Sequence, residues 1–202
     1  MGVEIRNAGK AYGGQAVLDG FSLKFPASGT ACLFGPSGCG KSTLLNCLAG
    51  LTALDSGEIL GMKEKRVSYI FQENRLLPWA TAKENVALVL DGENTEIAAH
   101  WLSRAGLGDA QEKYPRELSG GMKRRVAIAR ALAYGGDVLL LDEPFRALDE
   151  MNKQELIGLI RRSSVDSLNI LVTHDREEAE QMGDVIFFLD GPPLRIIEIR
   201  KK

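Results

Sequence analysis

Apolar and polar positions alternate through the first 25 residues. The strand-like stretches are Val3-Glu4-Ile5-Arg6, the short apolar Ala16-Val17-Leu18, and Phe21-Ser22-Leu23-Lys24-Phe25, punctuated by Gly13-Gly14 and Asp19-Gly20. A period of two bounded by turn residues predicts antiparallel strands with one covered face. The pattern then changes. Asp137 to Leu141 is apolar without alternation, which predicts a strand covered on both faces. Thr30 to Phe34 reads as a buried strand, and Val67 to Phe71 and Leu168 to Val172 as further core strands. Helical stretches are expected from Thr43 to Ala49, stopped by Gly50, from Asn85 to Leu90, from Ile97 to Ala105, and from Met122 to Leu132. Loop signals at Asp91-Gly92 and Gly106-Leu107-Gly108 separate the middle ones. No strand-like run falls between about residues 73 and 118, so a small helical subdomain is expected there, inserted into an α/β core. Val185 to Asp190 and Leu194 to Ile199, split by Gly191-Pro192-Pro193, predict a closing hairpin. The 202 residues suffice for one domain, 1–202, with these elaborations.

The first apolar core strand runs into Gly35-Pro36-Ser37-Gly38-Cys39-Gly40-Lys41-Ser42, and Thr43 opens the helix that follows. Strand, glycine-rich loop, Lys-Ser pair and helix together form a phosphate-binding pattern. The glycines let backbone N–H groups turn inward and approach phosphate closely. Lys41 supplies a compact positive charge, and Ser42 a hydroxyl for a magnesium ion. The helix N-terminus adds unpaired donors and partial positive charge. Cys39, between two glycines and near Lys41, is expected to be a reactive thiol shielded by a bound nucleotide, with Cys32 and Cys47 buried and inert.

Three other strand ends carry polar residues. The Val67–Phe71 run ends in Gln72-Glu73, the Asp137–Leu141 run in Asp142-Glu143-Pro144, and the Leu168–Val172 run in Thr173-His174-Asp175. Two acids ending a buried strand are costly without a task. Asp142 suits magnesium, and Glu143 suits polarising an attacking water. His174 ends a core strand, where sites in open α/β sheets gather. Leu118-Ser119-Gly120-Gly121 opens the Met122–Leu132 helix and is a second candidate anion site. Tyr12, before Gly13-Gly14, suits either stacking on a purine ring or local packing at a strand end.

Charge and cysteine content exclude more than they assign. A net charge of -2 gives no global attraction to nucleic acid or anionic lipid. The basic run Lys123-Arg124-Arg125 reads as a solvated face. Three cysteines at no ligand spacing argue against a disulfide framework or zinc site and favour a reducing compartment. Met1-Gly2-Val3-Glu4-Ile5 is not a basic-then-apolar leader, and Val138–Leu141 and Val185–Leu189 are too short to span a bilayer. Any membrane role is expected to act through a partner.

In this order, these motifs resemble the ATP-binding subunits of ABC (ATP-binding cassette) transporters, across nearly the whole chain. The resemblance implies a P-loop NTPase core of the ABC ATPase type, with an N-terminal antiparallel β subdomain and an inserted helical subdomain. It implies ATP and Mg2+ as cofactors. Gly35, Pro36, Ser37, Gly38, Cys39, Gly40, Lys41, Ser42 and Thr43 then bind the phosphates, with Tyr12 on adenine. Ser42, Gln72 and Asp142 hold magnesium, Glu143 is the general base, and His174 contacts the γ-phosphate. Ser119, Gly120 and Gly121 form the signature that caps ATP held by a second copy, and Ala147-Leu148-Asp149 matches the loop communicating between subunits. The implied partners are a transmembrane permease, an ATP-dependent homodimer and, indirectly, a periplasmic-type substrate-binding protein, at the cytoplasmic face of the membrane; nucleic acid is not among them. Phe71 to Trp79 and Asp142 to Asp149 are similar to the nitrate/sulfonate/taurine branch of bacterial importers, which implies import of a small anion or organic solute.

Two departures from that family's pattern stand out. Met122 replaces the usual glutamine of the signature, and the span from Ser56-Gly57-Glu58-Ile59 to Val67 is short, so a β-hairpin there is expected to be trimmed. Trp79 is read either as an interface anchor for the permease or as a core residue of the small subdomain. A cassette acting on DNA or ribosomes, an exporter and a non-hydrolysing regulatory subunit are the rival readings. The absence of paired cassettes and basic excess opposes the first, and intact Glu143 and His174 oppose the last.

Overall fold

The computed structural model describes residues 2–146 and 148–202, with Glu93 by its backbone alone. Ala147, the first residue of the expected communication loop, lies outside the described residues.

Alternating apolar positions build a three-stranded antiparallel sheet. Its strands are β1 (Glu4–Tyr12), β2 (Gln15–Lys24) and β4 (Ser56–Leu60), in the order β2-β1-β4. The stretches 16–18 and 21–25, read as separate strands, are instead one strand. Gly20 adopts φ 62 and lets β2 pass through Asp19-Gly20 without ending. The short span after Ser56 holds the single strand β4, which pairs with β1.

Continuous apolar runs build the second sheet. β3 (Gly29–Phe34), β5 (Val67–Ile70), β6 (Val138–Asp142), β7 (Leu168–Thr173), β8 (Val185–Asp190) and β9 (Arg195–Lys201) lie in the order β5-β6-β7-β3-β8-β9. All neighbours are parallel except β8 and β9, which form the expected closing hairpin. Both faces of the central strands β3, β6 and β7 are covered, and this explains their lack of alternation. Val138 and Leu140 of β6 pack with Leu33, Leu44 and Leu45 in one layer. Leu139 and Leu141 pack with Val126, Ile128, Leu156 and Ile160 in the other.

The helices are α1 (Lys41–Leu48), α2 (Ala82–Ala87), α3 (Thr95–Arg104), α4 (Gly120–Tyr134), α5 (Glu150–Ser163) and α6 (Arg176–Met182). Residues 82–117 hold helices and 3-10 turns, and among the described residues no strand. α2 starts three residues earlier than its apolar pattern indicated. Thr81 accepts the Glu84 N–H while Glu84 accepts the Thr81 N–H, a reciprocal cap that sets the start. The mixed α/β class expected from the sequence is the one observed.

Register places the polar strand ends together. Phe34 lies beside Thr173, Asp142 beside Val172, and Ile70 beside Leu141. The residues that follow β3, β5, β6 and β7 therefore emerge at one edge of one parallel sheet, where ligand sites of open α/β folds form.

Candidate functional site

The loop between β3 and α1 is built for close backbone approach. A Cβ on Gly35 would lie 2.5 Å from the Leu189 carbonyl oxygen. Gly40 holds φ 115, and a Cβ there would lie 2.9 Å from Val17 Cγ1. Among the described residues no side chain caps α1, and its first turn carries no acid. Its N-terminal donors are left for an anion. Lys41 Nζ donates to the carbonyls of Gly35 (2.8 Å) and Pro36 (2.6 Å), so the buried ammonium is fixed inside the loop.

Asp142 ends β6 almost wholly buried, and Ser42 Oγ donates to its Oδ1 at 3.0 Å. Burial pushes the Asp142 carboxyl above the usual carboxylate range; the Ser42 hydrogen bond opposes this and the charge of Glu143 adds to it. A buried carboxylate beside a hydroxyl offers hard oxygen donors suited to a divalent cation.

Glu143 follows in an unusual conformation. Its φ is 45, in the left-handed region that a side-chain-bearing residue avoids, at a cost of about 1–3 kcal/mol. Its N–H donates to the Val172 carbonyl at 3.0 Å and locks the turn to β7. Its carboxylate faces three groups: His174 Nδ1 at 3.0 Å, Gln72 Nε2 at 3.5 Å and Arg146 Nη1 at 3.6 Å. The His174 turn is itself braced. Thr173 Oγ1 donates to the buried Glu178 at 2.6 Å, and Asp175, bonded by Lys153 at 2.9 Å, caps α6.

Ser37, Gly38, Gly40, Lys41, Ser42 and Thr43 share one cavity of about 640 Å³ with Gln72, Glu143 and His174. That volume suits a nucleotide-sized ligand. Tyr12 does not line it. It is half-exposed at the end of β1, with Lys10 Nζ 5.5 Å from its ring centroid, and Val17 of β2 lines the cavity instead. Gly35 and Pro36 serve through the carbonyls that hold Lys41.

The expectation of a reactive Cys39 is corrected. Its side chain is fully buried in the core layer beside Leu44 and Leu45. Its Sγ accepts from Lys41 Nζ at 3.7 Å, as the position beside that lysine suggested, but it is sealed from solvent, so a reagent has no access. Cys32 and Cys47 are buried as expected, and desolvation pushes the Cys32 thiol up to about 12.

Ser119 caps α4 by accepting the Met122 N–H at 3.2 Å. With Gly121 it lines a second cavity, of about 550 Å³, together with Leu148 and Asp149. This cavity shares no lining residue with the first. Within one chain the two anion-type helix starts do not meet.

Sequence reasoning missed Arg124. Read as part of a solvated basic face, it is 3% exposed on α4. Its Nε donates to Pro144 O (2.6 Å), Nη2 to Glu143 O (2.7 Å) and Asp142 O (3.2 Å), and Nη1 to Phe71 O and Gln72 O. One guanidinium thus fixes the backbone on both sides of the Glu143–Gln72 contact. Arg130, on the same helix, donates to Asn74 O and Arg75 O. Backbone carbonyls leave no mark in a sequence, so the only available signal was an arginine at a core-facing helical position. Arg124→Met should lower unfolding stability by about 3 kcal/mol, since each buried carbonyl left without a donor costs roughly 1–3 kcal/mol. Urea denaturation with an unshifted midpoint would contradict this bracing role.

The ABC transporter family pattern matches residues 18–146 of the chain. The sulfate/thiosulfate import ATP-binding protein CysA of Burkholderia mallei is 43% identical over 211 residues, covering 94% of this chain and 60% of that protein. The chain thus spans about three-fifths of that relative's length. The aliphatic sulfonates import ATP-binding protein SsuB 3 of Paraburkholderia xenovorans is 42% identical over 195 residues, covering 94% of this chain and 77% of the relative. Among solved structures, the dimeric ATP-binding cassette MJ0796, in a post-hydrolysis state bound to ADP and Pi, superimposes with a TM-score of 0.88 at 29% identity over 98% of each chain.

Proposed function

Since this chain belongs to the ABC transporter family, we propose that it is the ATP-hydrolysing subunit of a transporter, driving solute movement through a separate membrane permease. The observation that carries this is the convergence of Glu143, His174 and Gln72 on the cavity of the phosphate loop.

The phosphate loop holds the triphosphate on backbone N–H groups, with Lys41 at its outer phosphates. Glu143 orients a water and takes its proton, and His174, hydrogen-bonded to that carboxylate, fixes its direction. The backbone strain at Glu143 aims the carboxylate across the cavity mouth. Ser42, Asp142 and Gln72 would hold magnesium, which neutralises phosphate charge when bound; the 3.0 Å Ser42–Asp142 contact and the buried carboxylate fit that ion. Tyr12 is assigned to the adenine side, reached from the end of β1.

The separation of the two cavities supports a head-to-tail dimer. Ser119, Gly120 and Gly121 of one copy then close over ATP held by Lys41 of the other, and Leu148-Asp149 lies at the same junction. The relatives' names point to import of a small anion or organic solute; we assign a substrate-binding protein an indirect part, as the family resemblance implies. Among the described residues no helix is long and apolar enough to cross a membrane. By the family resemblance we place the subunit peripherally, at the cytoplasmic face, on its permease.

The helical subdomain, about 73–118, is assigned the docking role. Trp79 at its start is 73% exposed, and Leu88 is exposed as well. A large bare aromatic suits an interface anchor. The test is co-purification of the tagged chain with a membrane permease from the cells that make it, with MgATP hydrolysis measured in parallel. Trp79→Ala should reduce permease recovery while sparing basal hydrolysis and melting temperature. A large drop in melting temperature would instead make Trp79 a packing residue, and absence of MgATP hydrolysis in the unaltered chain would overturn the function itself.

A further inference from the structure

Among the described residues, two cationic side chains, Lys41 and Arg146, line the phosphate cavity. They differ in freedom. The Lys41 ammonium is buried and already bonded to two loop carbonyls. The Arg146 side chain is 62% exposed, and its ion pair, with Glu143, is long at 3.6 Å. At that distance it is a Coulombic contact rather than a formed hydrogen bond. Arg146 is placed there by the chain itself. Its N–H donates to the Glu143 carbonyl at 3.3 Å, a turn that folds residue 146 back over residue 143.

The location sets the chemistry. Lys41 and Glu143 line the same cavity. A triphosphate held with Lys41 at its outer phosphates brings its outermost phosphoryl group toward the Glu143 carboxylate, where water attacks. Two anions then sit side by side in a partly dry site, and a cation beside Glu143, in addition to the magnesium that Ser42, Asp142 and Gln72 would hold, eases that arrangement. A guanidinium has a planar fork of donors, enough to serve a carboxylate and a phosphoryl oxygen at once.

We propose that Arg146 is a further catalytic residue, contacting the γ-phosphoryl group of bound ATP from within its own chain. This rests on reading the cavity as the ATP site. As nucleotide enters, the guanidinium swings from its long contact with Glu143 to bridge the carboxylate and a γ-phosphoryl oxygen. In hydrolysis the water oxygen bonds to the γ-phosphorus and the bond to the β,γ-bridging oxygen breaks. Its electron pair leaves on ADP, and the water proton passes to Glu143. Arg146 offsets the charge on the transferring phosphoryl group throughout.

The test compares a magnesium complex of the β,γ-imido ATP analogue with MgADP, by isothermal titration to the full chain. Arg146→Ala should weaken analogue binding about 10- to 100-fold, as expected for loss of a charge-assisted hydrogen bond, and change MgADP binding less than about 2-fold. Turnover should fall by a similar factor, and Arg146→Lys should recover part of both. Arg146 is exposed, so both variants should fold, and melting curves check this. Equal effects on the two nucleotides, no effect on either, or turnover at or above the unaltered level would overturn the proposal; the last would make Arg146 a restraint on Glu143. Lys41→Ala separates this from failure of the underlying reading. If that variant binds both nucleotides normally, the cavity is not the ATP site.

Discussion

Glu143→Gln should bind MgATP about as well as the unaltered chain and hydrolyse it roughly 10²–10⁴-fold more slowly. Gln is nearly the same size, and its amide can still meet His174 and Gln72, the neighbours that hold the carboxylate at 3.0 and 3.5 Å. The strained turn at φ 45 is retained, because the Glu143 N–H to Val172 bond does not involve the side chain. What is lost is the ability to accept a proton from water. Binding depends on the phosphate loop, which Glu143 does not hold. Uncleaved ATP should then keep two copies closed together, visible as a dimer in size exclusion with MgATP and a monomer without it. Hydrolysis near the unaltered rate would remove Glu143 from the role of base.

The sequence was most legible where burial dictates residue type. β3, β6 and β7 are covered on both faces, and their apolar runs stood out without alternation. Parallel register brings the residues after β5, β6 and β7 to one sheet edge; the strand ends themselves pointed to Glu143 and His174, and Gln72 entered through the family resemblance. Elements governed by local hydrogen bonds were less legible. The Thr81–Glu84 cap moved the start of α2, and Gly20 carried β2 through a dipeptide read as a stop. Side-chain direction inside a loop was not legible at all. Position placed Cys39 in the phosphate loop beside Lys41, and it is there, but its thiol is sealed from solvent among Leu44 and Leu45. Arg124 failed for a related reason. A charge run predicts a wet face only when nothing inside can receive the donors. Here five carbonyls from two strand ends converge at that point of α4.

Ser119→Arg should abolish hydrolysis while leaving the nucleotide affinity of a single chain nearly unchanged. The cavity around Ser119 and Gly121 shares no residue with the cavity around Lys41, so a bulky side chain at 119 cannot obstruct its own chain's phosphate loop. It obstructs only a second copy's nucleotide, if that nucleotide docks on the α4 N-terminus. A cationic side chain there also fills the space that backbone donors would offer to phosphate. The substitution removes the Ser119 cap on α4, worth about 0.5–2 kcal/mol, and Ser119→Ala isolates that contribution. Mixing Ser119→Arg chains with Lys41→Ala chains gives a sharper test. Each mixed dimer then holds one intact composite site, made from the phosphate loop of the first and the signature of the second. Activity should reappear on mixing although neither variant is active alone, and its level measures how far one site can turn over without the other. If Ser119→Arg weakens single-chain ATP binding as much as Lys41→Ala does, the signature acts within its own chain and the head-to-tail dimer is wrong.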